Sequence, residues 1–309
     1  MKTVLTAFVL AACCAGQQPG TIRGPVLGMV FQSGAGTIRP LLGVSASSRL
    51  GAALDAGPAL AQAAAAETYA VGVEADNGAA MLISAAGRNA LAGVPAEADR
   101  VVLSPSGTAA AFYFNQSRTA YLVSGLPDSP SVAGQAVTGS QPFAMAVSDD
   151  GSTLLTIEQN GRDREQLMAY AGGQAPAMLW FGPHIRDVEF NPHSLTALMI
   201  QPDAVATVSI GSGAQVIAGA QDGLANVIAA AVSGDGSKVY IAMESGQVMV
   251  RDLQAKTQTS ISCSCQPTTL ARLKGNAVFR LNEIGGTPLW LVDGDGAAPR
   301  VMFVASSQQ

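Results

Sequence analysis

The chain has 309 residues, of which 48% are hydrophobic and 13% charged, so it carries ample apolar material for a large core and is too apolar to be disordered. Its net charge is −5 and it has no Lys/Arg run, which removes the basic stripe that binding to nucleic acid requires. With 34 glycines and 16 prolines, it has the composition of many short strands joined by tight turns.

The N-terminus reads as an export signal. Met1-Lys2 is a minimal positive region, and Thr3 to Ala12 is an apolar run too short to span a bilayer. Leu10-Ala11-Ala12-Cys13 resembles the bacterial lipobox, which implies lipidation at Cys13. The alternatives are ordinary cleavage a few residues later, near Cys14-Ala15-Gly16, and a retained N-terminus. This divides the chain into a signal segment (1–13), a short linker (14–25) and a single domain (26–306). It places the protein in the periplasm or at the cell surface, touching a membrane only through its lipid anchor.

The next strand pattern is a hairpin over residues 26–43, with Val-Leu-Gly-Met-Val-Phe-Gln as its first arm. It reads as the third and fourth strands of an incomplete unit. A repeat follows: a β-rich run, a turn of Ser/Asn and Gly or a substitute, then a second β-rich run. Its copies cover 63–73 (degenerate), 101–114, 146–157, 188–200, 231–242 and 271–281. The turn markers Glu67, Gly107, Gly151, Ser194, Gly236 and Gly275 are spaced 40, 44, 43, 42 and 39 residues apart. Third strands recur behind each copy, for example at 119–124, 166–171 and 247–253, with a weaker fourth after them. Four antiparallel strands per roughly 42 residues is the size of one β-propeller blade. Such a meander cannot bury enough apolar surface alone, but a ring of them can.

The fold expected is therefore an all-β propeller of four-stranded antiparallel blades. Seven blades are expected, the last assembled from both termini with Arg300–Ala305 contributing. Six blades with 26–43 as an added outer hairpin is the alternative. Val-Ser-Gly-Asp-Gly-Ser-Lys (232–238), Ser-Asp-Asp-Gly-Ser (148–152) and Ser-Pro-Ser-Gly-Thr (104–108) resemble the turns of exported bacterial propellers of the TolB-like and YVTN (lactonase-like) types, related in architecture to WD40 repeats. The resemblance covers about residues 58–306 and speaks to architecture rather than activity.

Chemistry is sparse. His184, Arg186, Asp187 and Glu189 form the densest polar group on any first strand, the strand that lines a propeller's central channel, so they are the candidate site. The structural alternative is an Arg-Asp pair satisfying itself between blades. Glu74, Asn115, Glu158, Gln201, Glu244 and Glu283 recur after the second strands, which makes them a candidate binding rim or simply solvated turns. Cys263-Ser264-Cys265 reads as two small buried side chains, because no nearby His completes a metal site. Trp180 and Trp290 read as packing residues. No nucleophile elbow, His-Glu-x-x-His, Walker loop or dinucleotide fingerprint occurs, so neither a cofactor nor a metal is expected. The function expected is a monomeric module binding or scaffolding an envelope protein or glycan. The alternative is a hydrolase or lyase acting on a lactone or sugar in the channel, implied by the lactonase-like resemblance.

Overall fold

The computed structural model describes residues 24–54, 57–285 and 288–304. The lipobox cysteine Cys13, with the signal segment and most of the linker, lies outside the described residues. The described chain forms seven successive antiparallel sheets, six of four strands and the first of three, arranged as the blades of a seven-bladed β-propeller. Among the described residues there is no α-helix.

Six blades follow one plan. The inner strands are Leu60–Ala65, Arg100–Leu103, Pro142–Val147, Asp187–Phe190, Val227–Val232 and Ala271–Arg272. Each pairs with a second strand that is buried on both faces. In Ala109–Phe114 (Ala-Ala-Ala-Phe-Tyr-Phe) all six residues are buried. Small alanines there allow blades to approach closely, while Phe112 and Tyr113 fill the space between them, so both faces of the strand must be apolar. Outer strands alternate instead, as in Ser131–Val137, because one face meets solvent.

The repeat's turn joins inner to second strand, and its serine explains its recurrence. The hydroxyls of Ser104, Ser148 and Ser233 accept the amides that open the next strand, Ala109 (3.0 Å), Thr153 (3.0 Å) and Lys238 (2.9 Å). Gly107, Gly151 and Gly236 then take positive φ near 70°. In the fifth blade the positive φ falls one residue earlier, on His193.

Seven apolar clusters hold the ring, each spanning two neighbouring blades. The last to close joins Leu27, Val30 and Leu41 of the first blade to Leu273, Val278 and Leu291 of the seventh.

The first blade departs from the sequence-based expectation. Its strands, Val26–Gln32, Thr37–Val44 and Ser47–Leu50, occupy the second, third and fourth positions of a blade. Two hydrogen bonds establish this. Leu60 N donates to Gly36 O (2.9 Å), just as Val227 N, opening an inner strand, donates to Pro202 O (2.9 Å) in the preceding blade's second turn. Gly43 N donates to Pro25 O (2.7 Å), matching Leu253 N to Ser237 O (2.9 Å), where a third strand ends beside the start of a second. Ser47–Leu50 touches the outermost strand of blade 7, Arg300–Val304, as other outermost strands touch each other. Arg300–Val304 itself pairs with Leu289–Asp293 in a sheet made wholly from the chain's C-terminal portion. The last blade is therefore not shared between the termini, and the ring closes by side-chain packing with a main-chain bond from Lys274 N to Leu27 O (2.7 Å). A short apolar hairpin has the same two-residue alternation at any position in a blade, so its place is decided by its neighbours.

Candidate ligand site in the central channel

Five of the six inner strands, together with Val26–Gln32 and Gly234 of the blade 6 turn, surround a cavity of about 950 Å³ at the centre of the ring. Its wall is mostly backbone, alanine and larger apolar groups, including Met29, Phe31 and Phe143. Phe143 leaves 44% of its surface uncovered.

Blade 5 supplies a pair of acidic side chains. In Asp187–Phe190, alternation buries Val188 and Phe190 in the wall and turns Asp187 and Glu189, two residues apart, into the cavity. Asp187 Oδ1 accepts only the amide of Val188 (2.8 Å). Among the described residues Glu189 has neither a hydrogen bond nor an ion pair. Enclosure by the surrounding strands pushes Asp187 up to about 6, against the pull of the Val188 amide. It pushes Glu189 up to about 8, with Arg272 opposing and Asp187 adding to the rise. Both side chains keep some surface because they border a cavity rather than pack within the wall.

The cations around them are committed elsewhere. Arg100 Nη1 donates to Pro142 O (2.6 Å) and Arg186 Nη1 to Val227 O (2.9 Å), each at the start of the next blade's inner strand. These arginines stitch one blade to the next. Arg272 donates to Asn276 O (3.1 Å) and Val232 O, and its guanidinium lies 5.0 Å from the Phe279 ring centroid. Burial holds its pKa below the usual value, while the field of Glu189 works the other way. Arg280 is paired with Glu283 (2.5 Å) at the cavity margin. The channel thus contains two carboxyl groups with no cation in contact, one of which, Glu189, is raised far enough to hold its proton at neutral pH.

Of the four candidate site residues, the structure brings Asp187 and Glu189 together in the cavity. His184 and Arg186 are exposed and are not part of its lining. The six candidate rim residues meet different fates. Glu74 is buried, paired with Arg88 (3.2 Å) and bonded to Asn77 (3.1 Å). Glu158 is fully buried and accepts from Thr156 (2.8 Å), Tyr170 (2.6 Å) and Ser140 (3.1 Å). Asn115 bonds Gln141 (2.9 Å), and Gln201 reaches Pro183 O at 3.4 Å. Glu244 is exposed beside a separate small hollow, and Glu283 carries the ion pair just described.

Sequence reasoning passed over Arg272 and Phe143, although both stand on inner strands that the repeat alignment marks. It also left Cys263 and Cys265 unjoined. The structure links them in a disulfide just beyond the outermost strand of blade 6, with Cα atoms 5.1 Å apart.

No known family profile matches the chain, and no curated protein matches it. Several solved structures are similar in fold. The β-propeller domain of Myceliophteria thermophila Cps50 (Swd1) has a TM-score of 0.50 at 14% identity, over 67% of this chain and 70% of that one. A functionally unknown protein from Desulfotomaculum acetoxidans DSM 771 has a TM-score of 0.48 at 9% identity, over 91% and 79% of the two chains. A chain of a nidogen/laminin complex has a TM-score of 0.47 at 13% identity, over 78% and 94%. At 14% identity the likeness to the Cps50 domain speaks to the fold alone, and the seven sheets in a ring make the chain a β-propeller by architecture.

Proposed function

We propose that the protein is a binding module of the exported bacterial propeller type, and that it takes part of an envelope partner, protein or glycan, into its central channel. The observation that carries this reading is the 950 Å³ cavity with Asp187 and Glu189 facing it unneutralised. Carboxylates kept in such a setting raise the free energy of the empty state, and their location in a concave site is a mark of function. The Cys263–Cys265 disulfide supports export, since such bonds persist mainly in oxidising compartments. The lipobox at Cys13 supports attachment to a membrane.

A channel hydrolase built on His184, Arg186 and Asp187 would need all three at one reacting atom. Only Asp187 faces the cavity, so binding is the reading retained. The test is capture from solubilised envelope fractions by wild-type protein and by an Asp187→Asn/Glu189→Gln variant in parallel. A partner held by the wild type and lost by the folded variant supports the reading. Equal recovery by both would move the binding surface off the channel.

A further inference from the structure

Every second strand in blades 2 to 7 is covered on its channel side by an inner strand, whereas no described strand pairs with that side of Val26–Gln32. The register shows which groups this leaves. Ile38 and Pro40, opposite Phe31 and Met29, send their carbonyls outward to Leu54 N (2.9 Å) and Gly51 N (2.7 Å). Phe31 and Met29 therefore stand at the narrow, non-hydrogen-bonded pairs, and their own main-chain groups point toward the channel. The neighbours close one end of this edge: Met29 N donates to Ala66 O (2.9 Å) and Lys274 N to Leu27 O (2.7 Å). Met29 O and both main-chain groups of Phe31 remain without a protein partner among the described residues.

Two independent features therefore face one cavity. One is a short strand edge that an extended backbone can pair with, and the other is the uncompensated pair Asp187 and Glu189. Resting on the binding function just proposed, we infer that the ligand is a short extended peptide segment carrying a lysine or arginine. It adds along Met29–Phe31 as a partial inner strand and directs its cation to Asp187 and Glu189. Main-chain pairing with a sheet edge supplies affinity while alternate side chains supply selectivity. Phe143 offers an aromatic face against which the basic side chain's stem can pack. A neutral glycan satisfies neither requirement as well, having no amide ladder and no cation. The chain's own residues 15–20 (Ala-Gly-Gln-Gln-Pro-Gly) lie outside the described residues and contain no basic side chain to supply the cation.

The test uses the full chain and a fluorescent, N-acetylated, C-amidated pentapeptide Thr-Val-Lys-Val-Thr, followed by anisotropy. Three companions are titrated in parallel: norleucine in place of lysine, glutamate in place of lysine, and a version with alternate backbone amides N-methylated. The expected result is saturable binding of the lysine peptide, about tenfold weaker binding of the norleucine peptide, and none of the other two. Asp187→Asn and Glu189→Gln, each checked for a native melting profile, should separately weaken the lysine peptide by severalfold and leave the norleucine peptide unchanged. Norleucine and lysine peptides binding alike overturns the charge assignment, and an N-methylated peptide binding as well as the parent overturns strand addition. Binding of none of the peptides overturns the inference entirely, including the case in which the chain's own 15–20 segment holds the edge. If envelope capture still depends on Asp187 and Glu189 while the peptides fail, the channel reading stands and the ligand class falls.

Discussion

Carboxylates on the turn rim and carboxylates in the channel are the same chemical groups in opposite conditions. On the rim, Asp149 collects the amides of Ser106 (2.8 Å) and His193 (2.6 Å), and its own carbonyl accepts the Thr108 hydroxyl (2.6 Å). One residue thereby fastens the turns of blades 3, 4 and 5. Burial pushes its pKa up, but the hydrogen bonds outweigh that, and the group lies below the usual carboxylate range. Asp235 is held lower still by Ser233 and Ser237, and Asn276 of the next blade adds a further bond (3.1 Å). On the inner strand just before the blade 5 turn, Glu189 has enclosure without a donor and Asp187 has only its neighbour's amide, and both move up. Donors satisfy a carboxylate whose role is to hold neighbouring blades in place. The channel pair bridges no neighbouring blade in this way.

The largest effect expected from this contrast is at Asp149. Replacing it with Ala strands two amides that now bond to a carboxylate, and should cost roughly 2–3 kcal/mol in denaturant unfolding. A loss below about 0.5 kcal/mol would mean that the rim is solvated loop and that the contrast is illusory.

Next is Glu189→Gln. A carboxyl whose folded pKa is raised contributes nothing adverse below the unfolded value near 4, and costs stability as pH rises through the folded value of about 8. The substitution should therefore raise stability by roughly 1–2 kcal/mol at pH 9 and leave it unchanged at pH 4. Asp187→Asn should behave alike with a smaller gain, because Asp187 rises only to about 6. Thermal melts of both variants across this range are the measurement, and a flat difference from pH 4 to 9 would show the channel carboxylates to be solvated.

Asp235 has the opposite sign. Its stabilisation is complete above the unfolded carboxylate pKa near 4 and disappears as pH falls through its depressed folded value. Asp235→Ala should accordingly lose stability at pH 7, by roughly 1 kcal/mol at most because solvent screens this exposed group, and show a weaker acid transition than the wild type. A comparably small effect is expected from reducing the Cys263–Cys265 disulfide. It closes a loop of one intervening residue, so the entropic gain is about 1–2 kcal/mol at most, and the melting temperature should fall by only a few degrees.

Much of this architecture was readable beforehand because it repeats. The serine and glycine of each turn have local reasons to recur, one capping the next strand and one taking positive φ, so their spacing exposed the blades directly. Asp187 and Glu189 were readable because charge on an inner strand is exceptional in a chain this apolar. Glu158 was not: its position in the repeat is held by exposed Glu244 as well as by buried Glu74, and only the approach of Tyr170, Thr156 and Ser140 makes it an interior group. Arg186 looked like a partner for Asp187, yet it reaches Val227 in the next blade, a contact with no sequence neighbourhood to betray it. The disulfide went unrecognised because the bend that brings Cys263 onto Cys265 follows the outer strand's end, where strand periodicity no longer applies.

Sequence alone determined the blade, its period and the turn that builds it, because those rest on interactions between residues a few positions apart. The place of Val26–Gln32 in its blade, the closure of the ring through Leu27 and Leu273, and the isolation of two carboxylates in the channel were decided by tertiary structure. The reason is physical: hydrogen bonding along a strand is a local property, whereas whether a charge or a strand edge finds a partner depends on surfaces brought together from distant parts of the chain.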